Sequence, residues 1–109
     1  MNEEAKIVLR KIKEFSEENL VVVEGKKDVV ALNNHDINCV EIIGDIYLFA
    51  EKKSEKKCKV LFLTDFDLEG KKLRIKLKRA FSRFGIEEQE SLRLEFKKTF
   101  KLSHIEGLQ

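Results

Sequence analysis

The hydrophobic positions of the chain follow two patterns, helical repeats of three and four and short continuous apolar runs. The helical repeats predict amphipathic helices over residues 2–18, 26–34, 71–83 and 87–100. Asp45 can cap a further short helix between them. The continuous runs predict buried strands over residues 20–23, 38–43 and 58–63. Residues 103–108 are predicted to form either a short last strand or a docked tail.

Strands that alternate with helices imply right-handed βαβ crossovers and an α/β fold. We predict a mostly parallel four-stranded sheet flanked by helices, with the first strand lying between the second and the third. At 109 residues the chain is long enough for a single domain with one modest core. That domain is predicted to have its core over about residues 20–86, an N-terminal helix over 2–18, and a C-terminal helix and tail over 87–109.

Composition adds a heavily charged surface to this picture, because 39% of the residues are charged while a usual 42% are hydrophobic. Proline and tryptophan are absent and Lys, Glu and Ile are plentiful, a bias typical of proteins from hot environments. The net charge of +2 is too small to indicate a nucleic-acid partner by itself. The sequence has no secretory hydrophobic region and no apolar run near the ~20 residues that span a bilayer. We therefore expect a cytoplasmic protein without a membrane partner.

Cysteine and histidine provide no metal signature in the sequence. Cys39 and Cys58 have no closely spaced partners, so we expect them to be small buried hydrophobic residues rather than zinc ligands. His35 and His104 are isolated in the sequence, and we expect both to be surface or satisfied residues.

An acidic motif follows the strand predicted over residues 58–63. Asp65, Asp67 and Glu69 stand at a spacing of two, so an extended exit from the strand puts all three on one side. Carboxylates this close raise one another's pKa unless a cation lies among them. Mg²⁺ or Mn²⁺ is the cation that such an oxygen cluster favours. The alternative is that Asp67 caps the helix beginning near Glu69 or Gly70, although one cap needs only one carboxylate.

Glu24 ends the first predicted strand, and in a parallel sheet it can meet Asp65 if the two strands are neighbours. An acidic setting would raise the pKa of Glu24 and suit it to act as a general acid or base on a phosphodiester. Asp28 lies one helical turn beyond it. Gly25 and Gly70 precede helices and allow the backbone to approach a phosphate closely, so all three join the candidate phosphate-binding residues.

The predicted helix over residues 71–83 is basic along its solvent face. Its cations occur without an intervening acid: Lys71, Lys72, Arg74, Lys76, Lys78, Arg79 and Arg83. This face can track a polynucleotide backbone toward the acidic motif, and the candidate contacts are Lys26, Lys71, Lys72, Arg74 and Lys78. The alternative is a lysine-rich face that is simply solvated.

Two motifs in this order resemble the Toprim domain, the catalytic module shared by topoisomerases, bacterial-type primases, OLD-family and ribosomal-RNA-maturing nucleases, and RecR-type recombination proteins. They are VVVEGKKDVVAL, at residues 21–32, and LFLTDFDLEG, at residues 61–70. The first is especially close to primases, whereas Glu69 as a third acid after Asp-x-Asp is more typical of topoisomerases.

This resemblance covers about residues 20–84 and implies a compact Rossmann-like Toprim fold. It implies Glu24 as the general acid or base, and as Mg²⁺ ligands Asp65, Asp67 and Glu69.

The sequence lacks what a complete topoisomerase or primase needs. Its only tyrosine, Tyr47, lies inside the same small domain, and no template-handling or zinc-binding region is present. Our hypothesis is a stand-alone Toprim protein that binds Mg²⁺ and acts on phosphodiester bonds of RNA or DNA as a small nuclease. The alternative is a non-catalytic nucleic-acid-binding or scaffold subunit of a larger processing complex, in which a protein partner supplies further domains. A third reading is a phosphoacceptor domain resembling response regulators, with Asp65 as acceptor.

Overall fold

The computed structural model describes residues 1–108, so Gln109 of the predicted tail lies outside the described residues. The helices are α1 (Glu3–Glu18), α2 (Lys26–Asn33), α3 (Ile46–Lys53), α4 (Leu68–Arg83) and α5 (Glu90–Phe100). The strands are β1 (Leu20–Val23), β2 (Val40–Glu41) and β3 (Val60–Phe62). A 3-10 turn, Ile105–Gly107, follows α5. Three helices begin at a capping side chain that accepts a backbone N–H, namely Asn2, Asp45 and Asp67.

The strands form a parallel sheet in the order β2-β1-β3, which confirms the predicted central position of β1. In the register, Val22 of β1 pairs with Val40 on one side and with Phe62 on the other. The carboxyl ends of β1 and β3 are therefore adjacent at one edge of the sheet. This adjacency brings Glu24, after β1, next to Asp65, after β3.

The sheet has three strands among the described residues, one fewer than predicted. Where a fourth strand would lie, Val60 makes a single parallel bridge to Glu88. The Val60 N–H donates to the Glu87 carbonyl and the Gln89 N–H donates to the Val60 carbonyl, at 3.0 and 2.7 Å. Helix α5 begins at Glu90, so the chain leaves the sheet before a strand can extend.

Two element boundaries also differ from the prediction in ways that affect the site. Strand β2 has two residues instead of six and is a half-buried edge strand. Helix α4 begins at Leu68, three residues earlier than predicted, because Asp67 caps it and the acidic motif itself enters the helix.

Helices cover both faces of the sheet, and alternate strand residues point to opposite layers. Val21 and Leu61 pack with α1, α2 and α5, whereas Val22 and Phe62 pack with α3 and α4. This arrangement confirms the predicted α/β architecture with a flanking N-terminal helix.

Both cysteines are free and half-buried rather than fully buried. Burial raises the pKa of Cys39 to about 11, so its thiol stays protonated near neutral pH. Among the described residues, no helix is both long and apolar enough to cross a membrane.

Candidate acidic metal site

The carboxyl ends of β1 and β3 are joined by a hydrogen bond from the Asp65 N–H to Glu24 Oε2, at 2.7 Å. Partial burial is the main cause of the raised pKa of Glu24, and the negative charges of Asp65, Asp28 and Asp67 raise it further. The hydrogen bond from Asp65 acts in the opposite direction. Glu24 thus combines a fixed position with an increased affinity for a proton, as a general acid or base requires.

Asp65 and Asp67 each use one carboxylate oxygen to bind backbone. Asp65 Oδ1 accepts the Ile105 N–H and Asp67 Oδ1 accepts the Gly70 N–H, both at 2.8 Å. The capping role considered for Asp67 is therefore real. Because each Oδ1 is used by the backbone, the Oδ2 atoms of Asp65 and Asp67 face a common space. Metal ligands are commonly oriented by such hydrogen bonds.

His104 lies at this space, exposed at the surface and paired with a carboxylate although it is isolated in the sequence. Its Nδ1 is 3.2 Å from Asp65 Oδ2 and 3.8 Å from Asp67 Oδ2. One ligand atom from each of these residues lies within 4.8 Å of the other two. The hydrogen bond to Asp65 is the main cause of the raised pKa of His104, and the Asp65 charge adds to it. The sequence contains no spacing that links position 104 to position 65.

Glu69 lies outside the group formed by Asp65, Asp67 and His104. Its side chain is 85% exposed and lies 3.9 Å from the ammonium of Lys72. Because α4 begins at Leu68, Glu69 belongs to a helical turn instead of an extended exit. The spacing of two therefore does not place it beside the other two acids.

Asp28 is buried and accepts the Gly25 N–H at 3.1 Å, which stabilises the first turn of α2. Its pKa is raised, first by burial and then by the charges of Asp65 and Glu106. Asp28 thus acts on the backbone of the Glu24–Gly25 turn. Gly25 itself has open space around it, since a Cβ there would meet no atom within 4 Å.

Gly70 is a packing residue of the site. A Cβ at this position would lie 2.0 Å from the Asp65 carbonyl oxygen. The buried Thr64 hydroxyl also donates to the Gly70 carbonyl, at 2.8 Å. The absence of a side chain lets α4 approach the Asp65 backbone directly.

Arg93 is a site residue that the sequence analysis missed. It is buried on α5, and its guanidinium donates to the carbonyls of Phe62, Thr64 and Asp65, at 2.9, 2.8 and 3.3 Å. It also lies over the Phe66 ring, 4.5 Å from the centroid. Burial lowers the pKa of Arg93 to about 10, which keeps it charged near neutral pH. A basic residue next to Leu92 in the apolar stripe of α5 is the one sequence signal for this role.

The basic face of α4 divides into engaged and exposed cations. Arg74 donates to both carboxylate oxygens of Glu88, at 2.7 and 2.8 Å, and lies 2.8 Å from Glu90. The hydrogen bond with Glu88 is the main cause of its raised pKa. Lys78 is 3.9 Å from Glu88 but remains half-exposed. Exposed positions on α4 are occupied by Lys71, Lys72, Lys76, Arg79 and Arg83, and Lys26 at the start of α2 is exposed as well.

A groove of about 580 Å³ lies between Tyr47 of α3 and the outer face of α4. The Arg83 guanidinium lies 4.7 Å from the centre of the Tyr47 ring. Ile75, Lys78 and Arg79 also line the groove, and no acidic side chain is among its lining residues in the described part of the chain. An aromatic ring beside cations is the combination found in single-strand nucleic-acid grooves.

The chain belongs to the Toprim domain family, whose model matches residues 19–99. Toprim membership and the acidic group together indicate a metal-dependent function related to nucleic acid. Among curated proteins, the chain is similar to several UPF0292 proteins. It is 35% identical over 92 residues to that of Methanocaldococcus jannaschii, covering 81% of this chain and 72% of the relative. It is 32% identical over 108 residues to that of Thermococcus onnurineus, covering 94% and 76%.

A further UPF0292 protein, of Methanosarcina acetivorans, is 29% identical over 90 residues, and the match spans 79% of this chain but only 62% of the relative's length. A solved structure of a protein from Aquifex aeolicus superposes with a TM-score of 0.83 at 31% identity. That match covers 94% of this chain and 95% of the other, so the fold extends over both molecules almost completely.

Proposed function

We propose that this protein is a divalent-metal-dependent nuclease that cleaves phosphodiester bonds of RNA or DNA. The observation that carries the proposal is the pairing of Glu24 with Asp65 across adjacent strand ends. This pairing places Glu24, whose pKa is raised, beside Asp65 and Asp67, whose carboxylates share a space suited to a metal ion. Phosphoryl transfer requires these two functions, proton transfer and charge neutralisation.

The residues present fit a divalent metal ion. Asp65 and Asp67 are proposed as direct ligands through Oδ2, because their other oxygens already accept backbone N–H groups. Glu69, exposed on the first turn of α4, is proposed to act through a water molecule. A bound Mg²⁺ or Mn²⁺ would neutralise charge on the phosphodiester and stabilise the oxygen that attacks or leaves.

Glu24 is proposed to move the proton. Oε2 accepts the Asp65 N–H, so the carboxylate stays oriented while Oε1 takes a proton from the attacking water or gives one to the leaving oxygen. Arg93 of α5 stabilises the position of the Phe62–Asp65 backbone through its hydrogen bonds to three carbonyls. Glu24 is thus the proposed catalytic residue, and Arg93 is a positioning residue.

The direct test is a cleavage assay with the purified chain on structured RNA and on single-stranded DNA. We expect cleavage with Mg²⁺ or Mn²⁺ and none in the presence of a chelator, because the acidic group cannot neutralise a phosphate without a cation. Salt-dependent binding without any cleavage on either substrate would contradict the nuclease proposal.

A non-catalytic nucleic-acid-binding or scaffold role is the second candidate, and the groove between α3 and α4 favours it. This surface is cationic and aromatic, and its lining residues do not include Glu24, Asp65 or Asp67. The greater length of the Methanosarcina relative is compatible with further domains or partners. In this role, the turns that face phosphate are proposed to be shaped by Gly25, Asp28 and Gly70. The cationic surface around these turns is formed by Lys26, Lys71, Lys72, Arg74 and Lys78.

Exposed cations of α4 are expected to set the salt dependence of nucleic-acid binding. The double substitution Lys71→Ala and Arg79→Ala should weaken binding to single-stranded RNA and reduce the slope of log K against log salt by about 1.4, the value for two single-strand phosphate contacts. Fluorescence anisotropy over a salt series measures this slope. Lys13→Ala on α1, in the opposite helical layer, is the matched control and should leave the slope unchanged. An unchanged slope in the double variant would show that this face is only solvated.

A further inference from the structure

Residues 103–105 are held against the loop between β3 and α4 on both sides of His104. The Phe66 N–H donates to the Ser103 carbonyl and the Ile105 N–H donates to Asp65 Oδ1, both at 2.8 Å. The Ile105 side chain is completely buried in the core that α1, α2 and α5 share. The backbone on each side of His104 is therefore fixed, which places the imidazole at the acidic motif.

The atoms of the imidazole and the two carboxylates have the spacing of metal ligands. Neighbouring ligands of a six-coordinate ion with bonds of about 2.1 Å lie about 3 Å apart. His104 Nδ1 is 3.2 Å from Asp65 Oδ2 and 3.8 Å from Asp67 Oδ2. A hydrogen bond to Asp65 alone would not require a second carboxylate to converge on the same nitrogen. The three atoms thus form one face of a site, and the His104 side chain is 56% exposed to solvent.

We propose that His104 is a nitrogen ligand of the metal ion bound by Asp65 and Asp67, and that it makes the site prefer a first-row transition-metal ion, such as Mn²⁺, Fe²⁺ or Co²⁺, to Mg²⁺. This inference rests on the metal dependence proposed above and names the class of metal. Mg²⁺ binds oxygen ligands and retains several waters, so an imidazole adds little to its affinity. Transition-metal ions gain more from a nitrogen ligand, because nitrogen is softer than oxygen.

Binding of Mn²⁺ to the purified full chain tests the proposal without any assay of activity. Electron paramagnetic resonance measures free Mn²⁺ during a titration, and pulsed measurements detect hyperfine coupling between bound Mn²⁺ and an imidazole nitrogen. We expect the wild-type protein to show this coupling and His104→Ala to lose it. His35→Ala, at the other histidine, is the matched control and should retain it.

Affinity provides the second readout. We expect His104→Ala to weaken Mn²⁺ binding by about tenfold or more. Mg²⁺ binding should change by less than about threefold, because Mg²⁺ gains little from imidazole. His104→Gln keeps a polar side chain of similar reach and should show the same loss of selectivity. The wild-type coupling measurement needs no variant, so the test holds even if a substituted chain does not fold.

The outcomes separate this inference from the nuclease proposal. Bound Mn²⁺ without nitrogen coupling in the wild type, or an equal loss of Mn²⁺ and Mg²⁺ affinity in His104→Ala, would overturn the ligand role, even for a protein that cleaves nucleic acid. Nitrogen coupling in a protein that cleaves nothing would support the ligand role and remove the nuclease proposal. Failure of the wild type to bind either ion would overturn both.

Discussion

Replacement of Glu24 by Gln is expected to lower metal-dependent cleavage by about 10²–10⁴-fold, the usual contribution of a general acid or base. The glutamine carbonyl can still accept the Asp65 N–H, so the turn that follows β3 keeps its hydrogen bond. Unlike a carboxylate, the glutamine amide can neither accept a proton from the nucleophile nor donate one to the leaving oxygen. Single-turnover cleavage at saturating metal, compared between Glu24→Gln and wild type, measures the effect on the chemical step.

The specificity of this result depends on metal affinity and folding remaining unchanged. Mn²⁺ affinity and urea-induced unfolding of Glu24→Gln should both match the wild type. Asp65→Asn provides the contrast, because its amide oxygen can keep the Ile105 N–H while its amide nitrogen replaces the proposed metal ligand. That variant should lose metal binding as well as cleavage. Wild-type cleavage rates in Glu24→Gln would exclude Glu24 as the proton-transfer residue.

Replacement of Gly70 by Ala is expected to destabilise the protein by about 3 kcal/mol, at the upper end of the usual range for overpacking. The added Cβ would lie 2.0 Å from the Asp65 carbonyl oxygen, so either α4 or the acidic motif must move. Alanine normally stabilises a helix interior by about 1 kcal/mol relative to glycine, so the sign of the effect is itself diagnostic. Urea-induced unfolding measures the free energy of unfolding.

Gly25→Ala is the matched control for this steric argument. Gly70 lies in the first turn of α4 rather than before the helix as predicted, whereas Gly25 is the N-cap of α2. A Cβ at Gly25 would meet no atom within 4 Å. Its backbone is extended, with φ of −153°, so an alanine fits without strain. We expect its free energy of unfolding to stay within about 0.5 kcal/mol of the wild type, as for most substitutions at open surface positions. A Gly70→Ala protein as stable as Gly25→Ala would contradict the proposed close packing of α4 against Asp65.

The fold changes the surroundings of two predicted site residues. The prediction groups Glu69 with Asp65 and Asp67 because alternate residues share a side in an extended chain. The Asp67 cap starts α4 at Leu68, and helical geometry then turns Glu69 toward solvent and Lys72. Arg74, a predicted phosphate contact, donates two hydrogen bonds to Glu88, which follows α4 in the chain.

The sequence alone determined the α/β class, the central position of β1, and the convergence of Glu24 with the Asp65 motif. These features follow from local hydrophobic periodicity and from the rule that parallel strands present their carboxyl ends at one edge. They require only that each segment form its preferred element and that the connections be right-handed.

Only the tertiary structure decided which further groups complete the site. Arg93 reaches the Phe62–Asp65 backbone across 28 to 31 positions of sequence, and His104 reaches Asp65 because Ser103 and Ile105 bind its loop. Such contacts depend on how α5 and the tail pack on the sheet, and no local spacing encodes that packing. The acidic motif was therefore predictable as carboxylates, whereas its histidine and its arginine support were determined by the packed chain.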